Sequence, residues 1–389
     1  MRHAQEDMTR ARQALLGGVL GLAVAMGVGR FAFTPILPGM MRQAGLDALQ
    51  AGNLAFWNSL GYLIGALALM LLPGLARARG FYALSLAASC AATLAMGLTE
   101  RPWAWGELRL AGGIASAAAF VCISARALPL VSACWSPRRA PLVFGGVGLG
   151  IAFTGAATPA LMDLAGWQGA WIGLGLASAV LALGSLWLMP APLPPAPKHQ
   201  PSGYAPAPAQ GHKLLVAAYF LEGLGYIATA TFLVAMLSGS PALAPFADAS
   251  WMVVGLCAGP SAWFWQRLAE GLGWRKSLSL AYAVQAAGIA ASTLAQGPAG
   301  VLLSAAAFGG TFMGITALTM SEGSRRAGTL QTRLAAILTT AFALGQMLGP
   351  PCAGLLAQQE HGFTPAMTAA AVVVLLGAAL TWLDKDTRL

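Results

Sequence analysis

Three ionisable side chains stand well inside long apolar stretches of this sequence: Arg30, Arg126 and Glu222. A charged group in hydrocarbon costs about 2.5–3.5 kcal/mol on insertion scales, so each needs a reason to be there. Arg30 keeps its charge and can grip a carboxylate through two parallel N–H bonds. The blander reading of Arg30 is an interhelical clamp on carbonyls or on a fixed partner. Glu222, poised between burial and an arginine, can load and release a proton, as coupling to a proton gradient requires. Otherwise it only holds helices together. Arg126 either touches a ligand or snorkels to the surface beside Pro129.

Weaker candidates share the same stretches. Tyr226, Thr34, Asn58 and Gln346 carry polar tips in apolar surroundings, and each reads as a possible substrate contact. Trp57 and Trp251 read either as contacts of the same kind or as anchors in the aromatic belt of a membrane. Other chemistries fail on spacing. The five cysteines form no CxxC pair and no metal spacing, so neither metal nor disulfide is expected. The four histidines fall in tails, a linker and a loop, without an HExxH arrangement. Gly145 to Gly150 contain a GxGxxG-like string, but it lies within an apolar span with no preceding strand, so close helix packing explains it better than a dinucleotide. No GxxxxGK[ST] loop exists for ATP drive. An enzyme is not expected, and neither is a cofactor.

These residues must be positioned by membrane helices. Of 389 residues 57% are hydrophobic and 9% charged, too few charges to clothe a soluble surface, which ordinarily needs about 25%. Runs of roughly 20 apolar residues, enough to span a bilayer, fall at 14–38, 51–73, 81–99, 107–131, 142–163 and 167–189. After a break they resume at 213–237, 248–266, 277–296, 299–321, 331–357 and 364–383. The break, 190–212, is Pro/Ala-rich and reads as an extended solvated linker. It divides the chain into bundles at 1–189 and 213–389. The apolar run before Ala23-Val24-Ala25 is short and hydrophobicity continues to Pro38, so the first span reads as a retained helix rather than a cleaved signal. Pro159 and Pro350-Pro351 fall at similar depths of the fifth and eleventh spans and are expected to kink them.

Charge supplies an orientation. With the N-terminus inside, seventeen lysines and arginines fall in inner segments, against Arg42, Arg101 and Arg109 in outer ones. That asymmetry places both termini in the cytoplasm. It also accounts for the net charge of +9 without nucleic acid, for which no basic patch exists.

The halves look like copies. Gly27-Val28-Gly29-Arg30 aligns with Gly223-Leu224-Gly225-Tyr226 at an offset of 196. Trp57-x3-Gly61-x3-Gly65 aligns with Trp251-x3-Gly255-x3-Gly259 at 194, and Gly112-Gly113 with Gly309-Gly310 at 197. Repeats of this kind are the architecture of many secondary transporters.

Six plus six helices with a central linker and parallel repeats resemble the major facilitator superfamily along essentially the whole chain. More narrowly, the run Gly27 to Pro38 (GVGRFAFTPILP), Gly145 to Ile151 (GGVGLGI) and Gly225-Tyr226 are similar to the YbfB/YjiJ-type transporters. The resemblance implies an all-α membrane fold of two pseudo-symmetric six-helix bundles that rock around a site near mid-membrane. It also implies cytoplasmic gating loops, matched here by Arg77 and Arg79 after the second span and by Glu270, Arg275 and Lys276 after the eighth. The superfamily's Asp is missing from the first of these loops. The expected function is a secondary transporter in the bacterial inner membrane, working as a monomer with a small solute and protons as its partners. The two buried arginines favour an organic acid or amino acid. An exporter of amphipathic compounds is the alternative within transport, and a non-transporting sensor or scaffold is the alternative outside it.

Overall fold

The computed structural model describes residues 2–192, 212–295, 297–327, 331–359 and 362–384. The linker expected at 190–212 lies outside the described residues from 193 to 211. Among those described there is no strand. The helices of the first half are α1 (Arg2–Leu22), α2 (Phe33–Ala44), α3 (Ala48–Leu71), α4 (Arg79–Met96), α5 (Pro102–Cys134) and α6 (Gly145–Leu188). Those of the second half are α7 (Lys213–Ser238), α8 (Ala247–Leu272), α9 (Trp274–Leu294), α10 (Pro298–Ala327), α11 (Gln331–Ala357) and α12 (Thr364–Leu383).

Nine helical stretches among the described residues are long and apolar enough to cross a membrane. One of them joins α1 and α2, and another runs from Pro137 to Leu188. Two expected spans merge in α6, which breaks at Ala165 and at Gly166, whose φ of +63° favours glycine. The helix runs on through Pro159, and α11 runs on through Pro350 and Pro351. The turn between α2 and α3 is written in the local sequence. Gly45 ends α2 with a φ of +68°. Asp47 then opens α3 with a reciprocal cap, accepting from the Gln50 N–H at 2.7 Å while the Gln50 side chain accepts from the Asp47 N–H at 3.0 Å.

Packing reproduces the duplication and corrects its register. In the first half Gly113 sits so close to the Asn58 carbonyl that no Cβ would fit; in the second, Gly309 sits the same way on the Val254 carbonyl. Gly27 packs on the backbone of Gly150, and Gly223 lies against the Phe342 carbonyl with the Gln346 backbone beside it. All four correspondences (58 to 254, 113 to 309, 27 to 223, 150 to 346) share one offset of 196. On that register Trp57 corresponds to Val253, so Trp57 and Trp251 are not symmetry mates. Their surroundings agree: Trp57 is 40% exposed and Trp251 is 1% exposed.

The halves meet along three seams. Helix α3 packs on α11, α6 on α8, and α2 on α7. The Trp251 indole N–H donates to the Thr154 hydroxyl at 3.2 Å across the second seam, and the Thr34 hydroxyl donates to the Ala230 carbonyl at 2.5 Å across the third. Trp251 is therefore an internal strut between α8 and α6, not a belt anchor.

Candidate functional site

The first membrane-spanning stretch is broken where the glycine motif predicts special backbone. Between α1 and α2 the chain forms one widened π turn, Ala23–Val28, and then an open turn over 29–32. Gly29 N–H reaches back five residues to the Val24 carbonyl at 2.8 Å, and Phe31 N–H reaches five to Met26 at 3.3 Å. Gly27 permits this by touching the backbone of Gly150, and Gly29 by touching the Ser89 hydroxyl; a Cβ at either position would collide. The break turns the carbonyls of Gly29 and Arg30 towards α5, where they need donors.

Arg109 supplies them. Its two Nη groups donate to Gly29 O at 3.5 Å and Arg30 O at 3.3 Å. Its guanidinium also lies over the Phe33 ring, 5.0 Å from the centroid. By sequence Arg109 falls among the outer-segment charges, two residues inside the expected span. In the structure α5 begins at Pro102, so Arg109 stands two turns deep and is 4% exposed. A proline at a helix start followed by interfacial tryptophans, Trp103 and Trp105, is the signal that could have found it.

Arg30 occupies the open turn itself. It is 4% exposed and donates across the bundle to the Gln346 side-chain oxygen at 2.6 Å. Its guanidinium sits over the Tyr62 ring, 4.6 Å from the centroid. No ion pair to Glu222 forms; the partner is the neutral Gln346 amide.

Arg30 and Arg109 line one cavity together with Thr34, Asn58, Ser59 and Thr231. Phe31, Phe33 and Ile227 close its walls. Its free volume is about 10 Å³, room for roughly one water. Asn58 donates to the Arg109 carbonyl at 3.0 Å, fixing α3 against α5 at this level.

An aromatic layer adjoins the turn. Tyr226 stacks on Phe312 at 5.4 Å and on Phe342 at 5.7 Å, and Phe342 in turn stacks on Tyr219 at 4.3 Å. Phe31 meets Phe312 and Trp251 edge-on at 6.4 and 6.3 Å. Glu222 lies one turn before Tyr226 on α7, fully buried, and neither carboxyl oxygen has a hydrogen-bond partner of sound geometry. Gln285 of α9 lies beside it with both amide atoms likewise unmatched.

The structure thus gathers Arg30, Thr34, Asn58, Gln346 and Tyr226 around one point, with Glu222 a turn away and Trp251 reached through Phe31. It does not bring in Trp57, which faces a separate cavity of about 510 Å³ bounded by Trp103, Trp105 and Glu107. Arg126 sits 17 residues beyond Arg109 on α5, about 25 Å along the axis. Its Nη groups donate to the Arg77 carbonyl at 2.7 Å and the Pro190 carbonyl at 3.1 Å, which ties two loops together.

The expected gating residues sit around that same end. Arg79 donates to the Leu186 carbonyl at 3.3 Å. Glu270 pairs with Arg267 at 2.5 Å and faces Arg138 of the other half at 3.7 Å. Arg275 lies over the Trp382 ring at 5.4 Å, and Lys276 is exposed.

Comparison with known proteins agrees with this architecture. The nucleoside transporter NupG superposes with a TM-score of 0.71 at 14% identity, covering 97% of this chain and 100% of that one. A bacterial homologue of the human lysosomal transporter Spinster, solved inward-facing and unoccupied, superposes with a TM-score of 0.68 at 14% identity over 96% and 97% of the chains. At such identities the likeness speaks for the fold alone. No curated protein matches the sequence. The family described as the uncharacterised MFS-type transporter YbfB matches residues 22–382. This multi-pass membrane chain, a secondary transporter and not an enzyme, therefore belongs to the YbfB-type family of the major facilitator superfamily.

Proposed function

We propose that the chain moves a small organic acid or amino acid by alternating access, coupled to protons, with Arg30 as the anchor for the substrate carboxylate. The observation that carries this reading is the pairing of Arg30 with a neutral amide. A buried guanidinium whose hydrogen-bonded side-chain partner among the described residues is the neutral Gln346 oxygen leaves its charge uncompensated, and an arriving carboxylate would supply what is missing. Gln346 belongs to α11 and Arg30 to the first half, so a ligand that displaces Gln346 also loosens a contact between the halves.

Glu222 is the proton carrier in this scheme. The polar side chains that face it are Tyr219 and Tyr226 on its own helix and Tyr282 and Gln285 on α9. No arginine or lysine pairs with it among the described residues, so nothing holds it permanently ionised. Tyr226 lies within electrostatic reach of both Arg30 and Glu222, which links the two sites through one turn of α7. The halves 1–189 and 213–389 would rock about this region in the bacterial inner membrane with both termini cytoplasmic, the chain acting as a monomer.

Uptake of candidate acids into proteoliposomes under an imposed pH gradient tests the scheme. Arg30→Ala should abolish accumulation while the protein still inserts. Glu222→Gln should lose gradient-driven uptake but keep solute exchange. Accumulation of no acid at all, with efflux of amphipathic dyes instead, would transfer the function to an exporter that uses the aromatic layer.

A further inference from the structure

Two guanidiniums, not one, line the closed cavity, and this asks for more than a single carboxylate. Arg30 and Arg109 are each 4% exposed and near enough to repel one another. Neither forms an ion pair among the described residues. The lining contains no acid: its other polar members are Thr34, Asn58, Ser59 and Thr231. Glu222 is outside it. Among the described residues the hydrogen bonds of Arg109 go to main-chain carbonyls, its face lies on the Phe33 ring, and its Nε is buried without a partner. Two like charges in a low-dielectric pocket cost several kcal/mol until an anion compensates them. One negative charge would leave the pocket still positive.

We infer that the Arg30–Arg109 cavity binds a small dianion, two carboxylates on a short chain or one phosphate monoester, with one guanidinium for each negative charge or face. This rests on the reading of Arg30 as the substrate anchor and narrows it. The geometry gives the arginines unequal parts. Arg30 releases the Gln346 amide. Arg109 keeps its Nη groups on the carbonyls of the open turn and offers the ligand its unpartnered Nε and its charge. Monocarboxylates and zwitterionic amino acids would neutralise only half of the site, so they would bind more weakly. The wall residues Phe31, Phe33 and Ile227 leave no place for a large polar headgroup, which limits the ligand to a compact one.

The test is ligand-induced thermal stabilisation and titration calorimetry on the full-length protein in detergent at about pH 8, where a phosphate monoester is doubly charged. Succinate and glycerol phosphate are compared with butyrate and alanine. The expected result is that at least one dianion binds about tenfold or more tighter than either comparison compound, the worth of one further charge-assisted contact; which dianion does so distinguishes dicarboxylate from phosphate. Arg109→Gln should erase that margin, because the amide still donates to a carbonyl but carries no charge. Arg109→Lys should keep a reduced margin, and this variant decides the matter if the glutamine variant fails to fold. Butyrate or alanine binding as tightly as both dianions overturns the inference and leaves the proposed function standing. So does an unchanged margin in Arg109→Gln. Binding of no anion at all overturns both.

Discussion

The guanidinium of Arg109 donates to the main-chain carbonyl of Arg30 at 3.3 Å, so one buried arginine holds the turn that presents the other. The relation is unusual because the two charges repel. It persists because an open turn in the first span leaves two carbonyls that α5 must satisfy.

That division of labour predicts an order of stabilities. Arg109→Ala strands the Gly29 and Arg30 carbonyls and should cost about 1–3 kcal/mol, the price of unmet buried hydrogen bonds. Arg109→Gln keeps a donor and removes the repulsion, so it should unfold closer to wild type. Thermal unfolding followed by tryptophan fluorescence in detergent reads the difference. Equal destabilisation by the two variants would mean that the carbonyls find other donors.

The Arg30–Gln346 bond makes a sharper prediction. Gln346→Glu places a carboxylate at 2.6 Å from the guanidinium, where an amide oxygen now sits. The variant should be more heat-stable than wild type and inactive in uptake, because the internal carboxylate occupies the substrate's position and ties α11 to the first half. Gln346→Ala should instead bind substrate more tightly and lose stability. Full uptake by the glutamate variant would show that Arg30 is not where the carboxylate docks.

Much of this site is legible in the sequence. Arg30 and Glu222 stand out because an ionisable residue deep in an apolar run has no bland surface to reach. The glycines around Arg30 marked a special backbone. Arg109 was not legible because it follows Glu107 closely, at the edge of an apolar window. A window average cannot tell a snorkelling residue from one whose helix began seven residues earlier, at Pro102. The repeat was legible in outline but misaligned by two residues at Trp57 and Trp251. Two tryptophans are an easy match by letter, whereas the true correspondence, Asn58 to Val254, is between carbonyls that carry no side-chain signature. The Gln346 partner lies 316 residues from Arg30, and only tertiary packing could join them.

The corrected register separates the two tryptophans experimentally. Trp251→Phe removes the 3.2 Å bond to Thr154 across the α6–α8 seam and should cost about 1 kcal/mol, as a typical buried hydrogen bond does. Thr154→Val should reproduce that loss, and the double variant should cost little more than either single one. Trp57→Phe, at a half-exposed site, should be near neutral. Equal losses at Trp57 and Trp251 would restore the view that both are membrane anchors.

At the loop end of the bundle the two halves solve one problem with opposite charges. Arg126 and Glu322 occupy the same repeat position, since 126 plus 196 is 322. Arg126 satisfies carbonyls of Arg77 and Pro190, whereas Glu322 accepts from Arg325 at 2.7 and 2.6 Å and from Arg326 at 2.6 Å. Arg326 also bonds Asp384 at 2.8 Å and lies over the Trp274 ring at 4.5 Å, so Glu322 connects α10 to α9 and to the end of α12. The Arg325 contribution is small because that side chain is half-exposed and screened by solvent. The Arg326 bond is nearly buried at both ends. Glu322→Gln should therefore destabilise by about 1.5–3 kcal/mol, the range for a hydrogen bond to a charged group. Ligand affinity at the Arg30 cavity should stay unchanged, because the glutamate is far down α10 from Phe308 and Phe312. A drop in affinity without a drop in melting temperature would place Glu322 in the transport pathway instead.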